Sequence, residues 1–165
     1  MEKVYFFSSD TLFEAAEFAF QIHKKKIHEL LPEADIQHVG SSAIPNSLTK
    51  GDLDIQVRVN TEAFLTAVKA LSTIYESNEG SIKTDFFRSF KDDHAVPPLG
   101  VQLTVIGSEF DDFWKFREVL LMNLQYRHEY DQLKKQFEGK EMEDYREAKH
   151  AFFQRLMKTK EFNNL

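Results

Sequence analysis

Apolar and polar residues alternate most regularly between positions 53 and 59, where Leu53, Ile55, Val57 and Val59 are separated by Asp54, Gln56 and Arg58. A period of two sends successive side chains to opposite sides of a strand, so this stretch predicts a strand with one apolar and one polar face. Val101, Leu103 and Val105 alternate with Gln102 and Thr104 and predict a second strand over residues 100–106. Residues 35–39 and 82–90 read as further strands, and residues 4–7 as a short one. Helical spacing governs the rest. Leu12, Ala15, Ala16, Phe18, Ala19, Ile22, Ile27, Leu30 and Leu31 fall at helical spacing within residues 11–31, behind the capping run Ser8-Ser9-Asp10 and ahead of Pro32. Asn60 is a natural cap for a helix over residues 61–75, and the chain from about residue 108 onward is helical with a break near Gly139. A mixed sheet followed by a helical C-terminal third predicts an α/β (α+β) fold, with residues 1–165 as one domain.

Composition narrows the classes. A chain of 165 residues with 42% hydrophobic and 29% charged residues can bury a core, which excludes global disorder. Sixteen phenylalanines supply much of that core. The net charge of -6 argues against an extended nucleic-acid surface, which needs cations along the phosphate backbone. With no cysteine there is neither a disulfide nor a thiolate metal site, in keeping with a reducing, cytoplasmic setting. No apolar run approaches the roughly 20 residues of a membrane span, and the N-terminal residues lack the pattern of a signal peptide.

The chemistry concentrates between His38 and Val57. A strand ends at Gly40-Ser41-Ser42, where a residue without Cβ lets backbone approach a phosphate and the following turn offers N–H and hydroxyl groups to an anion. Ten residues separate Ser41 from Asp52-Leu53-Asp54. Asp52 and Asp54 are two apart on a strand and share a face, so both carboxylates point to one place. Such a pair repels unless a cation lies between, and Mg²⁺ takes oxygen ligands and fills its shell with water and phosphates. Gly-Ser alone is common, and an Asp-x-Asp alone is often a solvated strand end. Together, in this order, they predict a site binding a nucleoside triphosphate with Mg²⁺, with Asp52 and Asp54 as catalytic and metal residues and Gly40, Ser41 and Ser42 cradling phosphate. Lys50, Arg88 and Arg117 are the candidate triphosphate contacts. His38 reads first as a structural histidine beside the turn and second as a substrate contact. His23 and His28 have the wrong spacing to share a metal, and His94, His128 and His150 read as exposed. Trp114, with Phe110, Phe113 and Phe116, reads as packing a helix onto the sheet.

The Gly40-Ser41 and Asp52-Leu53-Asp54-Ile55 pair resembles the signature of the nucleotidyltransferase superfamily. More closely, the chain resembles the GrpB family, a bacterial group assigned to that superfamily. His38-Val39-Gly40-Ser41-Ser42-Ala43-Ile44-Pro45 resembles the family's H-I-G-S-T-A-V-P. Phe116-Arg117-Glu118 with Leu120, then Tyr130 to Lys134, resembles its F-R-D-x-L and Y-x-x-L-K, and Tyr145 to Lys149 its Y-x-x-A-K. The resemblance implies a nucleotidyltransferase-like fold, nucleotidyl transfer to an acceptor, and Tyr130, Lys134, Tyr145 and Lys149 as candidate substrate contacts. Two departures matter. Many family members carry their two acids at what are here Asp54 and Gln56, and the third acid of active superfamily enzymes meets Gln102 and Thr104 on the later strand, with Asp85 as a substitute. Two readings therefore stay open: an Mg-dependent nucleotidyltransferase, or a catalytically inactive nucleotide-binding or interaction module whose C-terminal helices meet a partner or a second copy.

Overall fold

In the computed structural model, which describes residues 1–165, the elements run β1 (Phe7–Ser8), α1 (Ser9–Leu30), β2 (Asp35–Val39), β3 (Leu48–Thr49), β4 (Leu53–Val59), α2 (Phe64–Ser72), β5 (Glu76–Ser77), β6 (Phe87–Asp92), β7 (Leu99–Val105), α3 (Phe113–Met122), α4 (Leu124–Phe137), α5 (Met142–Leu156) and α6 (Lys160–Asn163). Five strands form one mixed sheet in the order β2-β4-β7-β6-β5, in which only β4 and β7 run parallel. β1 and β3 form a separate antiparallel pair.

The alternation along β4 and β7 divides the sheet by chemistry. Leu53, Ile55, Val57, Val59, Leu99, Val101, Leu103 and Val105 face α1 and α2 and pack with Phe20, Ile27, Phe64, Ala67 and Leu71 into the largest apolar core. The intervening side chains face the opposite way, towards the C-terminal helices. Those helices build their own core from Val119, Leu120, Tyr130, Phe152, Leu156 and Phe162, joined by Ile44 from the loop after β2. α3 crosses the polar side of the sheet. Its Trp114 N–H donates to Gln56 Oε1 over β4, and Arg117 donates to Gln37 Oε1 and His38 O on β2.

Several expectations shift in detail. The strand expected at residues 4–7 begins only at Phe7, and the residues before it act as a strap. Val4 N–H donates to Lys140 O, Gly139 N–H to Val4 O and Met142 N–H to Glu2 O, closing the α4–α5 turn. The strand expected at 82–90 begins only at Phe87, because residues 81–86 loop outward with Ile82 and Phe86 exposed. The helix expected at 61–75 opens with a 3-10 turn at Thr61–Ala63, and Asn60 makes no side-chain capping bond. The C-terminal helix breaks at Asn123 as well as near Gly139, since Asn123 is extended with φ -126° and ψ 99°. Ser8 does cap α1, accepting from Asp10 N–H. No helix is long and apolar enough to cross a membrane.

Candidate functional site

Gly40 ends β2 with φ 77° and ψ -174°, a conformation that L side chains rarely adopt, and a one-turn 3-10 helix at Ser41–Ala43 follows. The turn closes when Ala43 and Ile44 donate to Gly40 O and Ser41 O. Its end is tied to α1 by Ser9, whose hydroxyl donates to Ile44 O at 2.6 Å. β4 then brings Asp54 between Val39 and Gly100 in the sheet register. A Cβ on Gly40 would overlap Asp54 Oδ2, and one on Gly100 would lie 3.0 Å from Asp54 Oδ1. Both glycines therefore serve one purpose, leaving room around this carboxylate.

Asp54 makes no hydrogen bond or ion pair. Burial pushes its carboxyl above the ordinary carboxylate range, the Lys149 ammonium pulls it back down, and Asp52 pushes it up again. Asp52 sits beside Lys50, with Nζ 3.6 Å from Oδ2. A desolvated, unpartnered carboxylate with a second one beside it is a donor set that suits a hard cation with oxygen ligands. The two residues fit Mg²⁺ on those grounds. No third His, Asp or Glu joins them as a ready-made metal group.

These residues open onto a cleft of about 890 Å³ between the polar side of the sheet and helices α3 and α5. The cleft brings together Gly40, Ser41, Lys50, Asp52, Asp54, Arg117, Tyr130, Tyr145 and Lys149. It does not include Ser42, His38, Arg88 or Lys134. Ser42 is buried, and its hydroxyl pairs with His38 Nε2 at 2.9 Å. His38 stacks on Phe20 on the α1 side of the sheet, and burial holds its imidazole below the usual value. Arg88 follows from strand parity. Phe87 lines the cleft, so Arg88 faces α2 with Phe90, lies 5.5 Å over the Phe64 ring and donates to Thr84 O and Phe87 O.

Gln56 shows which acids form the pair. Its side chain is fully buried and donates to Thr104 Oγ1 and Asp111 Oδ1, both at 3.0 Å. Asp111 also takes two 2.7 Å bonds from the Arg58 guanidinium, which reaches Asp35 at 2.7 Å with a third nitrogen. Position 56 is thus part of a buried network, and the strand acids that reach the cleft are Asp52 and Asp54. Of the third-acid positions, Gln102 lines the cleft with a neutral amide and Thr104 is buried. Asp85 is exposed ahead of β6 and lies off the cleft.

A family model described as GrpB protein matches residues 14–159. The chain belongs to the GrpB family. A UPF0157 protein of Vibrio cholerae serotype O1 is 33% identical over 157 residues, covering 94% of this chain and 83% of that one. The crystal structure of conserved protein GrpB from Enterococcus faecalis has a TM-score of 0.59 at 22% identity, over 74% of this chain and 77% of that one. The Cid1 poly(U) polymerase structure has a TM-score of 0.50 at 12% identity, and this chain covers 40% of it. At such identities the likeness is one of fold, and the fold is nucleotidyltransferase-like.

The GrpB helical motifs divide into a structural half and a cleft-facing half. Lys134 is fully buried, donates to Leu48 O at 2.6 Å and lies 3.7 Å over the Tyr130 ring. Asp131 accepts from Ser47 Oγ at 2.6 Å and from Leu48 N–H at 3.1 Å. These two residues clamp the segment joining the Gly40 turn to Asp52. Burial lowers the Lys134 pKa to about 8, with Asp131 opposing the shift. Tyr130 and Tyr145, hydroxyls 3.4 Å apart, have phenols pushed well up by burial. Lys149 is different. It lies on the cleft and makes no ion pair, with its ammonium 6.0 Å from the Phe153 ring. Arg146, one turn before Lys149 on α5, and His150, the residue after it, line the cleft too, as do Glu109 and Asp112 ahead of α3. Sequence reading missed these four. The i, i+3, i+4 spacing of Arg146, Lys149 and His150 was the available signal for two of them.

Proposed function

We propose that the cleft binds a nucleoside triphosphate together with Mg²⁺ and transfers its nucleotidyl group to an acceptor hydroxyl. One observation carries this reading: the Asp54 carboxylate, kept clear by two glycines, has no partner in the chain and faces the unpaired Lys149 across an open cleft.

Asp52 and Asp54 would hold the metal, which when bound neutralises phosphate charge at the reacting phosphorus. The Ser41 hydroxyl, already 2.9 Å from Thr49 Oγ1, and the first N–H groups of the turn face the phosphates. Ser42 contributes through its backbone only. Lys149, Arg146 and Lys50 supply positive charge, and Arg117 acts at longer range because its guanidinium is held by Gln37, His38 and Glu118. The acceptor oxygen bonds the α-phosphorus while the bond to the bridging oxygen breaks. Pyrophosphate leaves towards the cations, and the hydroxyl proton passes to water.

A second reading is favoured by Gln102. A neutral amide at the strand position expected to carry a third acid suits a module that binds nucleotide without transferring it. Calorimetric titration with ATP and Mg²⁺ tests the site itself. Wild type is expected to bind, and Asp52→Asn and Asp54→Asn to lose at least tenfold in affinity; equal binding by all three sinks the site. Pyrophosphate release from the four triphosphates in the presence of acceptors then separates transferase from binding module.

A further inference from the structure

The cleft is divided by the sign of its charges. All its lysine and arginine lining groups, Lys50, Arg117, Arg146 and Lys149, lie towards the Gly40 turn, β2 and α5. On the other side of Asp54 the sheet register runs through Gly100 and Gln102 of β7 towards β6. There the lining is Phe87, Phe110, Phe113 and Ile82, with the carboxylates of Glu109 and Asp112 and no cation. The Phe87 ring lies 5.3 Å from Phe110 and 6.3 Å from Phe113. No Lys or Arg of the chain sits over any of these three rings, and neither carboxylate makes a hydrogen bond or ion pair. Lys115, whose charge acts on Asp112 without pairing with it, has its ammonium over the Trp114 and Phe162 rings.

Ring faces carry negative quadrupole charge and attract organic cations, and carboxylates at the rim add to that attraction. A polynucleotide would meet the opposite, two acids and no cation along its phosphates. We propose that this aromatic lane between β6 and α3 seats the acceptor, and that the acceptor is a small organic cation bearing a hydroxyl group. The assignment rests on the nucleotidyl-transfer reading in one respect. In-line displacement places the attacking oxygen opposite the leaving pyrophosphate, so a triphosphate held at the Gly40 turn and Lys149 leaves the β6 side for the acceptor. Gly100, without a side chain, keeps the passage from lane to Asp54 open.

The test uses two cation probes, choline and tyramine, each against its uncharged counterpart, 3,3-dimethylbutan-1-ol and 4-ethylphenol. Each is titrated into the full-length protein without nucleotide and followed by calorimetry. At least one cation is expected to bind tenfold or more tightly than its counterpart. Asp112→Asn and Glu109→Gln should each reduce that preference severalfold, Phe110→Leu should weaken the cation about tenfold, and affinity for ATP with Mg²⁺ should stay unchanged in all three. Equal affinity for cation and counterpart, or binding of neither cation, overturns the acceptor assignment. Cation binding by a wild type that fails to bind ATP with Mg²⁺ would instead overturn the nucleotidyl reading and leave the cation lane standing.

Discussion

The two sides of β4 solve the same problem with opposite materials. Towards α1 and α2, Leu53, Ile55, Val57 and Val59 are buried among other apolar side chains, and packing alone accounts for their environment. Towards α3, Asp54, Gln56 and Arg58 are also removed from water to different degrees, yet only two of the three are satisfied. Gln56 and Arg58 share Asp111, Thr104, Asp35 and the Trp114 N–H. Asp54 has nothing comparable. A buried polar group without a partner costs stability, and the proposed cation site would supply what the fold withholds. Along one strand, then, structural and functional polarity lie two residues apart, and the number of partners tells them apart.

Removing Asp111 should break that comparison most severely. Its carboxylate accepts from Arg58 twice, from Gln56 and from Gly107 N–H at 2.9 Å, and it is 4% exposed. Asp111→Ala leaves the largely buried Arg58 guanidinium with Asp35 as its one carboxylate partner and the Trp114 ring 5.1 Å away. Loss of one partner from a buried ion pair costs about 3–5 kcal/mol. Urea denaturation should report a loss in that range; a loss below about 1 kcal/mol would show that the network is decoration, since that is the scale of an exposed pair.

Gly40→Ala should act on both the fold and the site. Strain at positive φ costs about 1–3 kcal/mol, and the new methyl group would occupy the place of Asp54 Oδ2. The expected outcome is a moderate drop in denaturation midpoint with at least a tenfold loss in affinity for ATP and Mg²⁺. Gly100→Ala sharpens the point, because from ordinary backbone its Cβ presses on Oδ1 at 3.0 Å and otherwise makes only an ordinary contact with Gln102 Nε2 at 3.5 Å. It should weaken binding with little change in stability. A variant that lost stability while keeping affinity would separate these glycines from the carboxylate they flank.

How much of this was readable in the sequence depended on range. The period-two runs gave β4 and β7 to within a residue, and the paired spacing of Gly40-Ser41 with Asp52 and Asp54 located the cleft, because both are local signals. The network at Gln56 was not readable, since its partners are 48 and 55 residues away. Lys134 reads as a candidate substrate contact and is instead fully buried off the cleft, because the carbonyl it serves is 86 residues distant. Arg88 was assigned to phosphate from charge alone, whereas its parity with Phe90 directs it to α2. Ile82 and Phe86 read as part of a strand, although both stand exposed in the loop ahead of β6.

The smallest expected effect isolates Asp54 through pH. Its folded pKa is raised above the unfolded value of about 3.9. Between the two values the folded state binds more protons than the unfolded state, so stability falls as pH rises through that window and stays lower above it. The ionised carboxylate therefore destabilises the ligand-free protein at neutral pH. Asp54→Asn removes the charge while keeping the shape. It should be slightly more stable than wild type at pH 7, the difference shrinking as pH falls towards 4, while its affinity for ATP and Mg²⁺ is lost. Gln56→Glu supplies the contrast, because it sets a new carboxylate against Asp111 inside a satisfied network and should lower stability at pH 7. Paired urea denaturation at pH 4.5 and 7 reads both. If Asp54→Asn proved less stable than wild type at pH 7, the carboxylate would have a structural partner after all, and the distinction between the two halves of the polar face would fail at its most important residue.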